Sequence, residues 1–155
     1  MNVKLRTATL NDAAVLADIY NCAVHAVDPR LYTEAEKAAW ARDAGTSPFW
    51  KIRIPRTRPV LAERDGMAVG LLEYLPGGYL NCLYVHPHHQ QQGIASVMLK
   101  HAATMALQEG CGKLYADVSK AALPFFQRHG FVNLRENHIA RENEVLINYR
   151  MYLQL

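Results

Sequence analysis

The stretch VHPHHQQQGIASVML, residues 85–99, joins an apolar run to an apolar helix through a polar loop. The residues before it, YLNCLYV, are strand-like, and Pro87 ends that strand. Apolar residues at helical spacing follow Gly93, so a helix begins there. The first turn of a helix has backbone N–H groups without intrahelical partners and a partial positive charge. The stretch therefore predicts a binding site for phosphate oxygens, where Gly93 lets a ligand approach the backbone closely.

Two other interpretations of this stretch stay open. An ordinary helix entry behind a solvated polar loop has the same Gly-x-Ala sequence. The histidines His86, His88 and His89 belong to a metal-binding residue type, but no cysteine or carboxylate lies close by in sequence to complete a ligand set. We therefore expect no metal and place these histidines on the outside of the loop.

Strand-like and helical runs alternate along the rest of the chain. Apolar runs bounded by turn residues predict strands at 3–9, 58–65, 67–76, 79–87, 113–119, 131–137 and 143–155. Spacing and capping residues predict helices after Asn11 or Asp12, from Thr33, after Gly93 and over 120–129, whereas 47–56 is ambiguous between a helical turn and an irregular arm. The strand–helix–strand order around the long helix implies a locally parallel pair. The predicted fold class is α+β, with a mixed central sheet covered by helices.

Length, charge and cysteine content limit the functional classes. With 155 residues the chain is long enough for one well-packed core, and its net charge of +3 does not imply nucleic acid. No apolar run approaches the roughly 20 residues of a membrane span, and the start lacks the features of a secretory signal. The three cysteines are odd in number and widely separated. We expect a cytoplasmic protein, a monomer or homodimer, that binds neither nucleic acid nor membrane.

Three motifs resemble those of one known superfamily. QQQGIA, residues 90–95, resembles the Q/R-x-x-G-x-G/A signature of the GCN5-related N-acetyltransferases, the GNAT superfamily. FFQRHGF, residues 125–131, resembles its Phe-Tyr/Phe-x-x-x-Gly-Phe turn, and LYTEAEKAAWA, residues 31–41, is similar to the second helix of a branch of bacterial small-molecule acetyltransferases. The resemblance implies one GNAT-like domain over residues 1–155, mostly antiparallel with a splayed parallel strand pair. It also implies acetyl-CoA as the acyl donor, bound through its pyrophosphate.

The expected position of the cofactor also follows from backbone chemistry. Where two parallel strands splay, unpaired backbone groups can bond an extended amide chain, and the pantetheine arm of CoA is such a chain. The residues expected to bind the cofactor are Leu83, Tyr84 and Val85 through their backbone, Gln90, Gln91, Gln92, Gly93, Ile94, Ala95 and Ser96 near the pyrophosphate and, by the resemblance, Phe126.

The resemblance implies direct attack of an uncharged amine on the thioester, helped by a base and an acid. The position that matches the family's frequent tyrosine acid is Phe126, which carries no proton. Glu73 is the leading candidate for the base, because a carboxylate within VGLLEYL is expected to be partly desolvated and to have a raised pKa. Tyr84, Asp117 and Ser119 are further candidates for the acid or for positioning water.

The acceptor is expected to enter beneath the first two helices, where Tyr20, His25 and Tyr32 are candidates to line a pocket. Bulky aromatic residues favour a closed site for a small amine-bearing molecule over an open groove for a protein tail. Three alternatives stay open: transfer to a protein or peptide amine, a non-catalytic acyl-CoA-binding or regulatory domain, and a nucleotide-binding module. The last is the weakest, because no Walker lysine follows Gly93.

Overall fold

The computed structural model describes residues 2–155 as a seven-stranded sheet with five α-helices. The strands are β1 Val3–Thr7, β2 Val60–Arg64, β3 Met67–Leu75, β4 Tyr79–Val85, β5 Lys113–Ser119, β6 Val132–Arg141 and β7 Glu144–Gln154. The helices are α1 Ala13–His25, α2 Glu34–Ala41, α3 Ser47–Thr57, α4 Ile94–Gln108 and α5 Leu123–Arg128, with short 3-10 turns at Leu10–Asp12 and Pro87–His89. No helix within residues 2–155 is both long enough and apolar enough to cross a membrane.

The strand order in the sheet is β1-β2-β3-β4-β5-β7-β6, and each neighbouring pair except β4 and β5 is antiparallel. β4 and β5 run parallel and pair only at Tyr79 with Tyr115 and at Leu80 with Ala116. Beyond these two pairs, β4 and β5 diverge. The predicted mixed sheet with a splayed parallel pair is therefore confirmed.

Helices cover both faces of the sheet. The face under α4 has a core in which Met98 and Leu114 are fully buried. On the opposite face, α1 and α3 bury Leu16 and Trp50 in a second core. The opening between β4 and β5 thus connects two covered faces, one that carries the start of α4 and one that carries α1 and α3.

The connection from α1 to α2 is fixed by polar groups. The predicted capping box is present, because Thr33 Oγ1 accepts the Glu36 N–H at 3.1 Å and Glu36 Oε1 accepts the Thr33 N–H at 2.8 Å. Lys37, only 2% exposed, donates from Nζ to the carbonyls of His25 and Val27. These two carbonyls lie at the C-terminal end of α1, where helices lack intrahelical donors. Lys37 therefore ties α2 to the end of α1.

Residues 47–56, which the sequence left ambiguous, form most of α3. Trp50 and Ile54 lie one turn apart and are both buried, which gives the segment an apolar helical face. The Trp50 Nε1–H donates to the Ala44 carbonyl at 2.7 Å. Pro48 near the start lacks an N–H that the first turn would leave unpaired anyway. Burial of one helical face explains why this segment is a helix.

Candidate active site

The predicted phosphate-binding site is the loop between β4 and α4. Gly93 is the N-cap residue of α4 with a left-handed φ of 83°, and Gln91 is also left-handed with a φ of 58°. The helical bonds begin where the Val97 N–H donates to the Gly93 carbonyl at 3.2 Å. The N–H groups of residues 94–96 therefore have no acceptor inside the helix. This is the geometry that attracts an anion to a helix N-terminus.

Two of the three glutamines hold this loop in place. Gln90 Nε2 donates to the Val85 carbonyl at 3.0 Å, and Gln92 accepts a hydrogen bond from the Arg64 guanidinium. These side chains fix the loop to the ends of two strands. The sequence pattern did not distinguish this supporting role from contact with a ligand.

The first turn of α4 also contacts the end of α5. Ser96 Oγ lies 3.0 Å from His129 Nε2, and His129 Nδ1 lies 2.9 Å from the Phe125 carbonyl. Because a carbonyl only accepts, Nδ1 carries the ring proton, and Nε2 accepts from the Ser96 hydroxyl. Sequence reasoning missed His129, although it lies inside the FFQRHGF motif.

The register of β4 shows which backbone groups face the opening. The His86 N–H donates to the Val69 carbonyl at 2.9 Å while Val85 lies opposite Gly70. In an antiparallel ladder this makes Val85 a non-hydrogen-bonded position whose own N–H and C=O point away from β3. Leu83, two residues earlier, has the same orientation. The backbone groups of Leu83 and Val85 therefore face the side on which β5 has diverged.

Tyr84 differs from these two residues. It lies opposite Leu71, and the alternation of the ladder directs its backbone groups toward β3. The expectation that its backbone binds the pantetheine arm is therefore corrected; its side chain lines the cavity. A bulge at Asn81, which has no partner between the Glu73–Cys82 and Tyr74–Leu80 pairs, shifts the register just before this segment.

A cavity of about 640 Å³ runs from this opening, where Leu83, Val118 and Phe126 line it, to the face of α1 and α3. Its roof is aromatic and includes Tyr20, Tyr32 and Trp40, and Phe49 and Arg53 of α3 add to the wall. The polar residues along its floor are Glu73, Tyr79, Asn81, Asp117, Ser119 and Asn148. The cavity thus has a size and a mixed lining that suit a small polar molecule.

Glu73 is fully buried at this floor and its carboxylate is engaged. Arg53 donates to both oxygens at 2.7 and 2.9 Å, Thr57 Oγ1 donates at 2.6 Å, and Asn81 Nδ2 donates at 2.6 Å. Burial by itself would raise the pKa of Glu73, but these hydrogen bonds outweigh burial and the pKa lies below its ordinary value. The expected raised pKa is wrong, because α3 supplies an arginine that the strand pattern did not reveal.

Asp117 anchors a second polar cluster of the floor. Arg150 donates to both of its oxygens at 2.7 and 2.9 Å, and Tyr79 and Asn137 donate at 2.7 and 2.8 Å. Burial alone would raise the pKa of the Asp117 carboxyl, but the bonds from Arg150 and Tyr79 outweigh it, and the pKa is lowered. An ionised carboxylate is a poor proton donor, so this environment argues against Asp117 as the acid.

Aromatic side chains pack above the end of β4. The ring centroid of Tyr84 lies 4.6 Å from that of Tyr20 and 6.4 Å from that of Trp40. Burial raises the pKa of the Tyr84 phenol well above its ordinary value, and burial raises the pKa of Tyr20 as well. Both phenols stay protonated at neutral pH, so Tyr84 is available as a hydrogen-bond or proton donor.

Tyr32 lines the cavity with its ring while its hydroxyl is used elsewhere. The hydroxyl donates to the Ile147 carbonyl at 2.6 Å and accepts the Lys120 N–H at 2.9 Å. The ring also lies 5.0 Å below the Lys120 ammonium. Tyr32 therefore joins the roof to β7 and to the start of the β5–α5 connection.

His25 does not line the cavity, which corrects the third acceptor candidate. It is the last residue of α1 and is exposed. Five residues after Tyr20, its side chain is rotated by about 140° around the helix, away from the side that Tyr20 presents to the cavity.

Phe126 is buried in α5 and adjoins the cavity. Its ring packs edge-on against Phe131 with centroids 4.9 Å apart. Ser119 Oγ accepts the Ala122 N–H at 3.1 Å and starts the turn that leads into α5. The position that resembles the family's tyrosine is thus an apolar packing residue here.

The chain matches known proteins over most of its length. Residues 30–153 match the family model of the acetyltransferase (GNAT) domain. The uncharacterised N-acetyltransferase YafP of Escherichia coli strain K12 is 25% identical over 150 residues, which cover 97% of this chain and 95% of that protein. The thialysine N-epsilon-acetyltransferase of Sus scrofa is 28% identical over 114 residues, which cover 66% of this chain and 67% of that protein.

Solved structures share the same fold. A GCN5-related N-acetyltransferase from Rhodopseudomonas palustris superposes with a TM-score of 0.95 at 26% identity and covers 100% of this chain and 97% of its own. The PaiA N-acetyltransferase of Thermoplasma acidophilum, solved in complex with coenzyme A, superposes with a TM-score of 0.79 at 16% identity over 100% of both chains. The family match and the fold agree, and the chain belongs to the GNAT superfamily of N-acetyltransferases, which use acetyl-CoA as the acyl donor.

Proposed function

We propose that this protein transfers the acetyl group of acetyl-CoA to a primary amine of a small molecule. The observation that carries the proposal is the cavity of about 640 Å³, roofed by aromatic side chains, beside the opening between β4 and β5. Its position allows an amine to approach from the face of α1 and α3 while the cofactor approaches from the start of α4.

In the proposed complex, the pyrophosphate binds the free N–H groups of residues 94–96, next to Gly93. The backbone groups of Leu83 pair with an amide of the pantetheine arm, as a partner strand would, and the Val85 N–H is left for the thioester carbonyl. The thioester then lies between β4 and β5, next to the cavity. Phe126 borders this position and supplies apolar contact.

The proposed reaction is a direct transfer. The nitrogen lone pair of the neutral amine attacks the thioester carbonyl and forms the C–N bond, and the C–S bond breaks. The nitrogen loses its extra proton to water or to a base, and the sulfur leaves as thiolate or takes a proton. The Val85 N–H polarises the carbonyl oxygen, and the Tyr84 phenol is the proposed proton donor to the sulfur. Glu73 stays a predicted base, but its carboxylate oxygens already accept hydrogen bonds, which makes them less available to take a proton from the amine. Much of the rate then comes from holding the two reactants in position.

The pH dependence tests these roles. We expect kcat/KM to rise with pH and level off, with no descending limb up to pH 10, because Phe126 has no proton and the pKa of Tyr84 lies well above 10.0. If the amine loses its proton before binding, the midpoint follows the acceptor. The profile of an acceptor whose amine has a pKa of about 8 therefore levels off before pH 10, whereas that of an acceptor with a pKa of about 10.4 still rises at pH 10. A bell-shaped profile, or one midpoint for all acceptors, would contradict the prediction.

A small acceptor is favoured over a protein tail by the shape of the cavity. Tyr20 and Tyr32 are buried in its roof, and Trp40 closes part of the remaining side. A protein tail needs an open groove with room for extended backbone. The similarity to a thialysine N-epsilon-acetyltransferase, an enzyme named for a small amine, supports the same class.

Replacing Trp40 by alanine tests the acceptor class. We expect the KM for a small-amine substrate to rise about tenfold, equivalent to about 1.4 kcal/mol of lost contact, with little change in the KM for acetyl-CoA. Steady-state kinetics with an amine panel and lysine-containing peptides measure both values. Tyr32→Ala suits this purpose less well, because it also removes the bonds to Ile147 and Lys120.

Tyr152→Ala is the matched control, since Tyr152 is a half-buried aromatic residue of β7 outside the cavity lining. It should leave the KM for the small amine unchanged. Better turnover of peptides than of any small amine, or equal effects of the two substitutions, would contradict the proposed acceptor class.

A second candidate function is a non-catalytic acyl-CoA-binding domain. It is favoured by the phenylalanine at position 126 and by the engaged carboxylate of Glu73. Calorimetry with acetyl-CoA, followed by an assay for free CoA with the amine panel, separates the two. Binding of acetyl-CoA without release of free CoA in the presence of any amine of the panel supports the second function.

We also propose that the reaction takes place in the cytoplasm. Cys22, Cys82 and Cys111 are all free thiols, which fits a reducing compartment.

A further inference from the structure

Three metal-ligand side chains from two parts of the chain meet beside the phosphate loop. Asp18 and Cys22 lie one turn apart on α1 and share a helical face, and His86 directly follows β4. A carboxylate oxygen of Asp18, the Cys22 sulfur and a ring nitrogen of His86 all lie within 4.8 Å of one another. The cysteine and carboxylate that are missing near His86 in sequence are thus supplied in space by α1.

The ligand atoms of these three side chains are accessible and make few hydrogen bonds within the protein. Asp18 is exposed, and Cys22 and His86 are partly exposed, so an ion can enter from solvent. Within residues 2–155, the 3.6 Å contact from Cys22 Sγ to Asp18 Oδ1 is the only side-chain hydrogen bond that either residue makes. The His86 ring makes one hydrogen bond, in which Nδ1 accepts the His88 N–H at 3.2 Å.

We propose that Asp18, Cys22 and His86 bind a zinc ion. A thiolate, an imidazole and a carboxylate together suit Zn²⁺, whereas Ca²⁺ and Mg²⁺ prefer oxygen ligands alone. Zinc bonds of about 2.0–2.3 Å place tetrahedral ligand atoms about 3.5 Å apart. Cys22 Sγ and Asp18 Oδ1, 3.6 Å apart, already have this spacing, so only the distances to the His86 nitrogen shorten, by at most about 1.3 Å. A water molecule takes the fourth position.

Zinc binding affects the proton of the Cys22 thiol, the ring nitrogens of His86 and one hydrogen bond of the loop. The Cys22 thiol releases its proton to solvent as the sulfur–zinc bond forms. If His86 Nδ1 binds the ion, its lone pair is no longer free. If Nε2 binds, Nδ1 carries the ring proton. In both cases the bond from the His88 N–H ends, so zinc replaces a turn contact of the phosphate loop with a metal contact.

The site joins two parts of the catalytic region. α1 carries Tyr20 of the cavity roof, and His86 follows Val85 at the end of β4. An ion bound between them holds the roof against this strand end. The proposed role of the zinc is therefore structural, and it is separate from acetyl transfer.

Cobalt substitution tests the site in the full-length chain without an affinity tag. Titration with Co²⁺ should give a thiolate-to-cobalt charge-transfer band that saturates at one ion per chain, and Zn²⁺ should displace it. Cys22→Ser should abolish the band, and His86→Gln should lower zinc affinity at least about tenfold. In ¹⁵N spectra, the His88 amide signal should shift when zinc binds.

Two matched variants serve as controls. Cys111→Ser changes another partly buried thiol, and His88→Gln changes the neighbouring loop histidine, so both should keep the band and the affinity. Circular dichroism checks that each variant folds. Absence of the band at stoichiometric cobalt, a band that survives Cys22→Ser, or wild-type zinc affinity in His86→Gln would overturn the proposal. None of these measurements depends on acetyl transfer.

Discussion

Replacing Gly93 by aspartate is expected to weaken acetyl-CoA binding by about 100-fold or more, equivalent to about 2.7 kcal/mol. Gly93 is the N-cap of α4 and directly precedes the free N–H groups of residues 94–96. A carboxylate there competes with the pyrophosphate for these groups and repels its charge. Calorimetric titration of the folded variant with acetyl-CoA measures the loss.

Two further glycine variants separate charge from backbone strain. The φ of Gly93 is +83°, so any side chain strains the backbone there, and Gly93→Ala reports that contribution without a charge. Gly77, with a φ of +94° in the β3–β4 turn, allows the same aspartate substitution at the opposite end of β4 from the loop. We expect Gly77→Asp to bind acetyl-CoA normally and Gly93→Ala to lose less affinity than Gly93→Asp. Equal binding by wild type and Gly93→Asp would show that the pyrophosphate lies elsewhere.

The structural features that the sequence predicts correctly are those that depend on residues close together in the chain. The cap at Gly93 and the Thr33–Glu36 capping box each depend on residues within one or two helical turns. The parallel strand pair follows from the order of elements, since a helix between two strands returns the chain in the same direction. These features can therefore be predicted without knowing how distant elements pack.

The parts that were missed depend on how distant elements pack. Arg53 and Glu73 are 20 residues apart and meet only because α3 crosses the sheet above β3. Cys22 and His86 meet because α1 packs near the end of β4. Hydrophobic periodicity indicates which face of a helix is buried, but it does not indicate which strand that face covers. The sign of the Glu73 pKa shift was therefore beyond reach of the sequence.

Replacing Arg53 by methionine is expected to destabilise the protein by about 3 kcal/mol at pH 7.5. Glu73 is fully buried, and loss of Arg53 leaves its charge with hydrogen bonds from Thr57 and Asn81 and a long one from the Cys82 thiol. An uncompensated buried charge costs about 3–5 kcal/mol, and the lower end applies because the Arg53 side chain is 28% exposed. Urea unfolding measures the change in the free energy of unfolding.

Arg56→Met is the matched control, because Arg56 lies on the same helix, carries the same charge and is exposed. It should cost less than about 0.5 kcal/mol. A double variant, Arg53→Met with Glu73→Gln, removes the unpaired charge and should recover part of the loss. If both single variants lose the same stability, the Arg53–Glu73 pair contributes nothing beyond an ordinary surface charge.

The pH dependence of this loss identifies the carboxylate as its source. In the wild type the folded pKa of Glu73 lies below its ordinary value of 4.5, so the stabilisation is present above that pH and is lost as pH falls through the folded pKa. Without Arg53, burial dominates and the folded pKa rises above the ordinary value. As pH falls, the variant then takes up a proton on folding. Its loss of unfolding free energy relative to the wild type therefore shrinks between pH 7.5 and pH 4.5. A deficit that is constant over this range would instead assign the loss to packing of the Arg53 side chain on Phe49, whose ring centroid lies 5.4 Å from the guanidinium carbon.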